Sequence, residues 1–333
     1  MGCGDNQIEH YTAKRKRCPD QVMHIIYSTK YEIELDDHPW HTAKYRLTLD
    51  NLRSKGILSN LKILDAPIAD DGDILRVHTF EYWRKLYNLN FSDEEINHAE
   101  IPLTSETVDF FWRMAGGTIL AGEQALIDGI CVHLGGGFHH AYQSHASGFC
   151  LLNDIAIGLR VLLDREAIHS AVVIDCDLHQ GDATARIFHD DTRVFTVSLH
   201  QKDAFPYYKQ RSNLDIELHA GTGDEEYLAV LDETLASLFA DGRQFDFLHY
   251  QAGVDTYTND QLGRLQLSEE GLRERDRRII TTALDRGIPT VVTFGGGYTT
   301  DPAEVARLHA NTVVEAFLIY SNEVQRKSQV LKH

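Results

Sequence analysis

The sequence contains no apolar run approaching the roughly 20 residues that a membrane-spanning helix needs, so a membrane protein is not expected. Its first residues lack the apolar core of a secretory leader. Linkers rich in Pro, Gly or Ser, internal repeats and low-complexity tracts are also missing, which argues for one domain. The five cysteines (Cys3, Cys18, Cys131, Cys150, Cys176) show no C-x-x-C spacing, and three lie in apolar runs. This excludes a disulfide framework and points to buried thiols in a reducing compartment. The cytoplasm is the expected location, or the nucleus in a eukaryotic cell. Basic residues are scarce: 32 Lys and Arg stand against 50 Asp and Glu, a formal net charge of −18. Phosphate backbones are repelled by such a surface, so direct nucleic-acid binding is not expected. The surplus suits a cationic partner, such as a lysine-rich peptide or a polyamine, or serves only solubility. The opening MGCGDN departs from an acylation signal at Asn6, and KRKR at 14–17 reads as a solvated basic cluster.

What is present is an alternation of two periods. Short β-branched apolar runs at 22–27, 61–66, 129–134, 171–176, 193–199, 245–251 and 289–294 read as strands. Stretches near 41–55, 106–127, 151–164, 225–240, 269–286 and 303–319 read as helices. SEEGLRERDRR opens like a capping box, with Ser268 as N-cap. Near-continuous apolar strands between helices imply a parallel sheet covered on both faces. Ligand sites of such sheets form at the carboxyl ends of the strands.

Four strand ends carry polar motifs. GGGFHHA follows the run ending at 134, DCDLHQGDA the AVVI of 171–174, AGVDTYTND the run ending at 251, and GGGYTTD the run ending at 294. DCDLHQGD packs Asp175, Asp177, His179 and Asp182 together, and carboxylates this close repel unless a positive charge lies among them. In an extended segment Asp177 and His179 project to one side. The mixed N/O set suits Zn²⁺, and also Fe²⁺. Asp255, at another strand end, is the natural third ligand; a helix or turn cap is the alternative. The adjacent His139 and His140 are expected to diverge too far to share one ion and suit acid/base work, with Asp175 and Asp182 behind them. Plain loop histidines are the alternative. Tyr298 suits an oxyanion donor or a core aromatic over a glycine turn.

Together with SGFCLLNDIAIG, VSLH and GTGDEEY, these motifs resemble, in order and spacing, those of zinc-dependent histone deacetylases of the arginase/deacetylase superfamily. LDIELHAGTGDEEYL is most similar to the class IV branch and bacterial deacetylase-like proteins. The resemblance covers about 22–320, leaving 1–21 as an N-terminal extension and 321–333 as a tail. It implies a single-domain three-layer α/β/α fold with a mostly parallel central sheet. It also implies hydrolysis of an acyl group, acetyl or longer, from the Nε amine of lysine in proteins or peptides. By motif, Asp177, His179 and Asp255 would hold Zn²⁺. His140 would be general base and acid, backed by Asp182. His139 would be its electrostatic partner, backed by Asp175, and Tyr298 would stabilise the oxyanion. Gly148, Phe149 and Leu262 would line an acyl-lysine tunnel, with Phe205 facing Phe149. A structural K⁺ would use Asp175, Asp177, His179, Ser198 and Leu199, partly through carbonyls, and a second monovalent site Phe188, Asp191 and Val194. Gln180 departs from the pattern where many class I members carry a second His, and no acidic rim residue is identified.

A two-metal arginase would need carboxylates where this chain has Gly181 and Tyr257. An acetylpolyamine amidohydrolase keeps the chemistry and changes the substrate. A non-catalytic acyl-lysine reader usually loses a ligand or the tyrosine, and all are present. Neither GGGFHH nor GGGYTT reads G-x-G-x-x-G, which sets aside a dinucleotide binder.

Overall fold

The apolar runs pair edge to edge into one sheet of eight strands, all parallel, in the order β2-β1-β3-β8-β7-β4-β5-β6. The strands are β1 Met23–Tyr27, β2 Leu61–Asp65, β3 Ile130–His133, β4 Ala171–Asp175, β5 Val194–Gln201, β6 Leu214–Leu218, β7 Phe247–Gln251 and β8 Thr290–Thr293. The structure is a computed structural model that describes residues 22–330. Cys3, Cys18, the basic cluster at 14–17 and the expected extension over 1–21 lie outside the described residues. The central strands β3, β8, β7 and β4 are buried throughout, as their unbroken apolar character requires. Sequence reading missed β6, LDIEL, an edge strand whose charged residues interrupt the apolar run.

The helices are α1 Ala43–Ser54, α2 Asp71–Ile74, α3 Phe80–Asn88, α4 Asp93–Ala99, α5 Ser105–Asp128, α6 Asp154–Asp164, α7 Asp182–Ile187, α8 Asp224–Leu238, α9 Glu269–Asp285 and α10 Pro302–Val330. α5 and α6 pack together over one part of the sheet, while α1, α10, α9 and α8 follow one another as a second layer. This is the expected α/β/α sandwich.

Two local expectations are corrected. Ser268 caps α9 by accepting from the Gly271 N–H, but the reciprocal half of a capping box is missing, because Gly271 stands where Glu or Gln is needed. Asp224 takes the Ser268 N–H instead. α10 does not stop near 319 but runs to Val330. Glu323 pairs with Arg326 and Lys327 along that last stretch, and its side chain is buried. The short α2, α3 and α4 were also missed; Thr79 caps α3, and a complete Ser92–Glu95 capping box opens α4.

Candidate active site

All four polar motifs leave the sheet at its carboxyl edge, from the contiguous strands β3, β8, β7 and β4. Backbone hydrogen bonds continue between the loops beyond the strands: Cys176 N–H to Gln251 O, Ala252 N–H to Thr293 O, and Phe294 and Gly295 N–H to Gly135 and Gly136 O. Gln251 spans the two glycine turns. Its amide donates to Gly137 O at 2.7 Å and its oxygen accepts from Thr293 Oγ1 at 2.7 Å. A Cβ at Gly137 would lie 2.2 Å from that carboxamide, so only glycine admits this approach, at a φ of +92°.

Asp177, His179 and Asp255 bring one ligand atom each to within 4.8 Å of one another, all buried. His179 Nδ1 lies 3.1 Å from both Asp177 Oδ1 and Asp255 Oδ2. The segment is not extended, as the sequence suggested. It bends directly after β4, and the His179 N–H folds back onto Asp177 Oδ1 at 3.0 Å. The outer oxygens are pinned by backbone: Gly296 N–H donates to Asp177 Oδ2 and Leu178 N–H to Asp255 Oδ1. Burial alone would lower the His179 pKa, but its hydrogen bonds to the two carboxylates raise it to about 10. Burial and the neighbouring Asp177 raise Asp255 to about 8. Paired buried carboxylates thus draw a positive charge, and the field that favours a proton on His179 favours a divalent cation more strongly. Two carboxylates and an imidazole with space beside them fit such an ion. The positions a second metal would need are otherwise engaged. Gly181 packs against Asp175 and His139, and the Tyr257 hydroxyl donates to Glu304.

His139 Nδ1 meets Asp175 Oδ2 at 2.7 Å, and His140 Nδ1 meets Asp182 Oδ1 at 2.6 Å. The two rings do not diverge as expected; their centroids are 4.0 Å apart. Their electrostatics do diverge. Burial is opposed at His139 by Asp175 and Asp177, which raise its pKa to about 9. At His140 burial and the adjacent His139 lower it to about 4, against the pull of Asp182. One histidine holds a proton and its neighbour is free to accept one. Tyr298 donates its N–H to Asp260 and places its ring 6.2 Å from that of His179. Burial, reinforced by Asp177 and Asp255, pushes its phenol well above the usual value, so it remains a hydrogen-bond donor.

His140, His179 and Tyr298 open onto a cavity of about 190 Å³, lined also by Gly148, Phe149, Phe205, Leu262 and Glu100. All four expected tunnel residues are therefore on one cavity. Phe205 closes on the His140 ring at 4.9 Å, and Phe149 on Tyr298 at 5.9 Å and His38 at 4.5 Å. Phe149 has a φ of +67°, a strained conformation for a bulky residue, and its N–H is tied to Ala99 O. Of the expected K⁺ residues, Asp175 and Ser198 are register partners on β4 and β5, and Leu199 follows Ser198. At the second expected site the Asp191 carboxylate is committed to Arg160 and Arg193, leaving backbone oxygens for a cation.

Sequence reading missed the supports. Asp154 accepts the N–H groups of Gly137 and Phe138, at 3.0 and 2.7 Å. Fully buried Arg275 donates to the carbonyls of Cys176 and Gly253, tying the ends of β4 and β7. His78 bridges Tyr142 O and the Asn153 N–H, closing the loop that carries Gly148 and Phe149. Glu100, at the cavity mouth, is the C-cap of α4. The Asn-Asp pair opening α6 signalled a cap; the others carry no local pattern.

A histone deacetylase domain model matches residues 38–315. An uncharacterised protein of Picosynechococcus is 33% identical over 287 residues, covering 86% of this chain and 95% of its own length. Histone deacetylase 2 of Arabidopsis thaliana is 31% identical over 86% of this chain and 77% of its own. The acetoin utilization protein AcuC of Staphylococcus aureus is 29% identical over 79% and 72%. The chain belongs to the histone deacetylase family and is a hydrolase of the deacetylase type.

Proposed function

We propose that the protein hydrolyses the Nε-acyl amide of lysine, acetyl or longer, in proteins or peptides. The observation that carries this reading is a cavity lined by His140, His179 and the neutral phenol of Tyr298, with Asp177 and Asp255 against His179 and the carboxylate-backed His139 packed beside His140. Zn²⁺, or Fe²⁺ on the same donors, would be held by Asp177, His179 and Asp255 and would supply Lewis-acid polarisation of the acyl carbonyl. His140 accepts the proton of the attacking water, its Nδ1–H held by Asp182. His139, kept charged by Asp175, stabilises negative charge growing in the cavity. Tyr298 donates to the oxygen of the carbonyl as it becomes an oxyanion. His140 then returns its proton to the leaving amine, which departs neutral. Phe149, Phe205, Gly148 and Leu262 exclude water from the acyl-bearing side chain.

The class IV placement rests on the LDIELHAGTGDEEYL stretch. We also assign structural K⁺ to Asp175, Asp177, His179, Ser198 and Leu199, and a reducing intracellular location from the buried thiols Cys131, Cys150 and Cys176. Glu100 at the mouth favours a second reading, an acetylpolyamine amidohydrolase, since a carboxylate there suits a distal amine. The test is a panel of acetyl-lysine peptides, longer-acyl peptides and acetylpolyamines, each with and without chelator. Chelator-sensitive release from peptides is expected. Turnover confined to polyamines would favour the second reading, and no turnover of any member would overturn both.

A further inference from the structure

The rim of the cavity carries a feature that the reaction itself leaves unused. Beyond Phe205 the chain continues through Pro206 to Tyr207 and Tyr208, whose side chains are 88% and 80% exposed. Their rings meet edge to face at 4.9 Å, and neither hydroxyl hydrogen-bonds to another described residue. The loop beneath them is tied down. Lys209 Nζ donates to Ala204 O and Pro206 O, closing the loop on itself. At its far end the Gln180 carboxamide grips Gln210 on both sides, accepting its N–H at 2.8 Å and donating to its carbonyl at 2.7 Å. Gln180 is buried and directly follows His179, so the loop is anchored to the cavity floor.

Rigid exposed tyrosines offer large contact area at little entropic cost and are enriched where proteins bind one another. Their ring faces attract cations. The Lys209 amine is occupied within the loop, Glu100 stands at the same mouth, and the chain carries a net charge of −18. We propose that Tyr207 and Tyr208 form a docking surface for the residues flanking the acylated lysine of a peptide, and that it selects basic flanks. The proposal rests on the lysine-deacylase reading and makes a basic peptide, rather than a free polyamine, the preferred substrate.

The test uses the full-length, metal-loaded protein and its Tyr207→Ala/Tyr208→Ala double variant. Substrates are a capped single acetyl-lysine, an acetyl-lysine peptide with Arg flanks, the same peptide with Glu flanks, and N-acetylspermidine. Hydrolysis is read as kcat and KM, and binding as the anisotropy of fluorescein-labelled peptides. The wild type is expected to favour Arg over Glu flanks by about tenfold, and the double variant to lose most of that preference through KM, keeping only what Glu100 and the net charge supply. The capped residue, which reaches only the cavity, should be processed equally by both. An equal loss on the capped residue, no loss on the Arg-flanked peptide, or a loss confined to N-acetylspermidine would overturn the proposal. Tyrosine-dependent binding of the Arg-flanked peptide without hydrolysis would support the docking surface and defeat the deacylase reading. Hydrolysis with tyrosine-independent binding would do the reverse.

Discussion

Tyr298 keeps its proton because burial and the nearby Asp177 and Asp255 both oppose a phenolate. Replacing it with Phe removes one donor and little volume. Tyr298→Phe should lower kcat by roughly 10²–10³ with KM nearly unchanged, the usual consequence of losing one oxyanion donor. Wild-type turnover of an accepted acetyl-lysine peptide would remove the residue from its assigned role. At this scale the sequence was informative wherever ligand-type side chains crowd a strand end. Asp175, Asp177, His179 and Asp182 lie within eight positions, and their mutual repulsion is a physical statement even without a fold. Gln251, Arg275 and Asp154 gave no such signal for their part in the site, because the loop backbone atoms they hold come from distant segments. The convergence of His139 and His140 was likewise illegible, since two neighbouring side chains approach each other only if the turn between them is tight.

At the scale of elements, Arg275 on α9 is the clearest dependence. Its guanidinium is fully buried, pairs with Asp276 and holds the carbonyls at which β4 and β7 end. Arg275→Ala would leave Asp276 buried without its cation, for which a loss of about 3–5 kcal/mol is expected. Urea unfolding of the variant measures this, and a midpoint unchanged from the wild type would contradict it. The other edge strand, β2, kept enough apolar residues in LKILD to be located, whereas β6 was lost because the charged residues of LDIEL interrupt its apolar run. Helices of several turns were visible through their period, whereas α2, α3 and α4 are too short to show one and are marked chiefly by their caps.

For the whole molecule, buried neutral histidines set the response to acid. Burial lowers His78 and His200 to about 4 and His133 and His249 to about 3, while an unfolded imidazole titrates near 6.5. Between those values the unfolded chain binds more protons than the folded one, so stability falls as pH drops. The loss should begin near pH 6.5 and approach a slope of about 1.4 kcal/mol per pH unit per histidine, flattening below about 3. Raised carboxyls such as Asp255 and Asp260 oppose this slope, so the direct check is the titration of the individual imidazoles by NMR from pH 7 to 4, and protonation of His78, His133, His200 and His249 near 6.5 would contradict it. The strand order has a further consequence for synthesis. β1, β2 and β3 form one half-sheet and β4, β5 and β6 another, while β7 and β8, which join them, come last in the chain. A growing polypeptide halted before about residue 290 would present two unjoined half-sheets with open inner edges. Such edges invite pairing with other chains. Asp255 follows β7 and Tyr298 follows β8, so the cavity cannot be assembled until synthesis has passed residue 298, and chains cut short of that point would be aggregation-prone rather than weakly active.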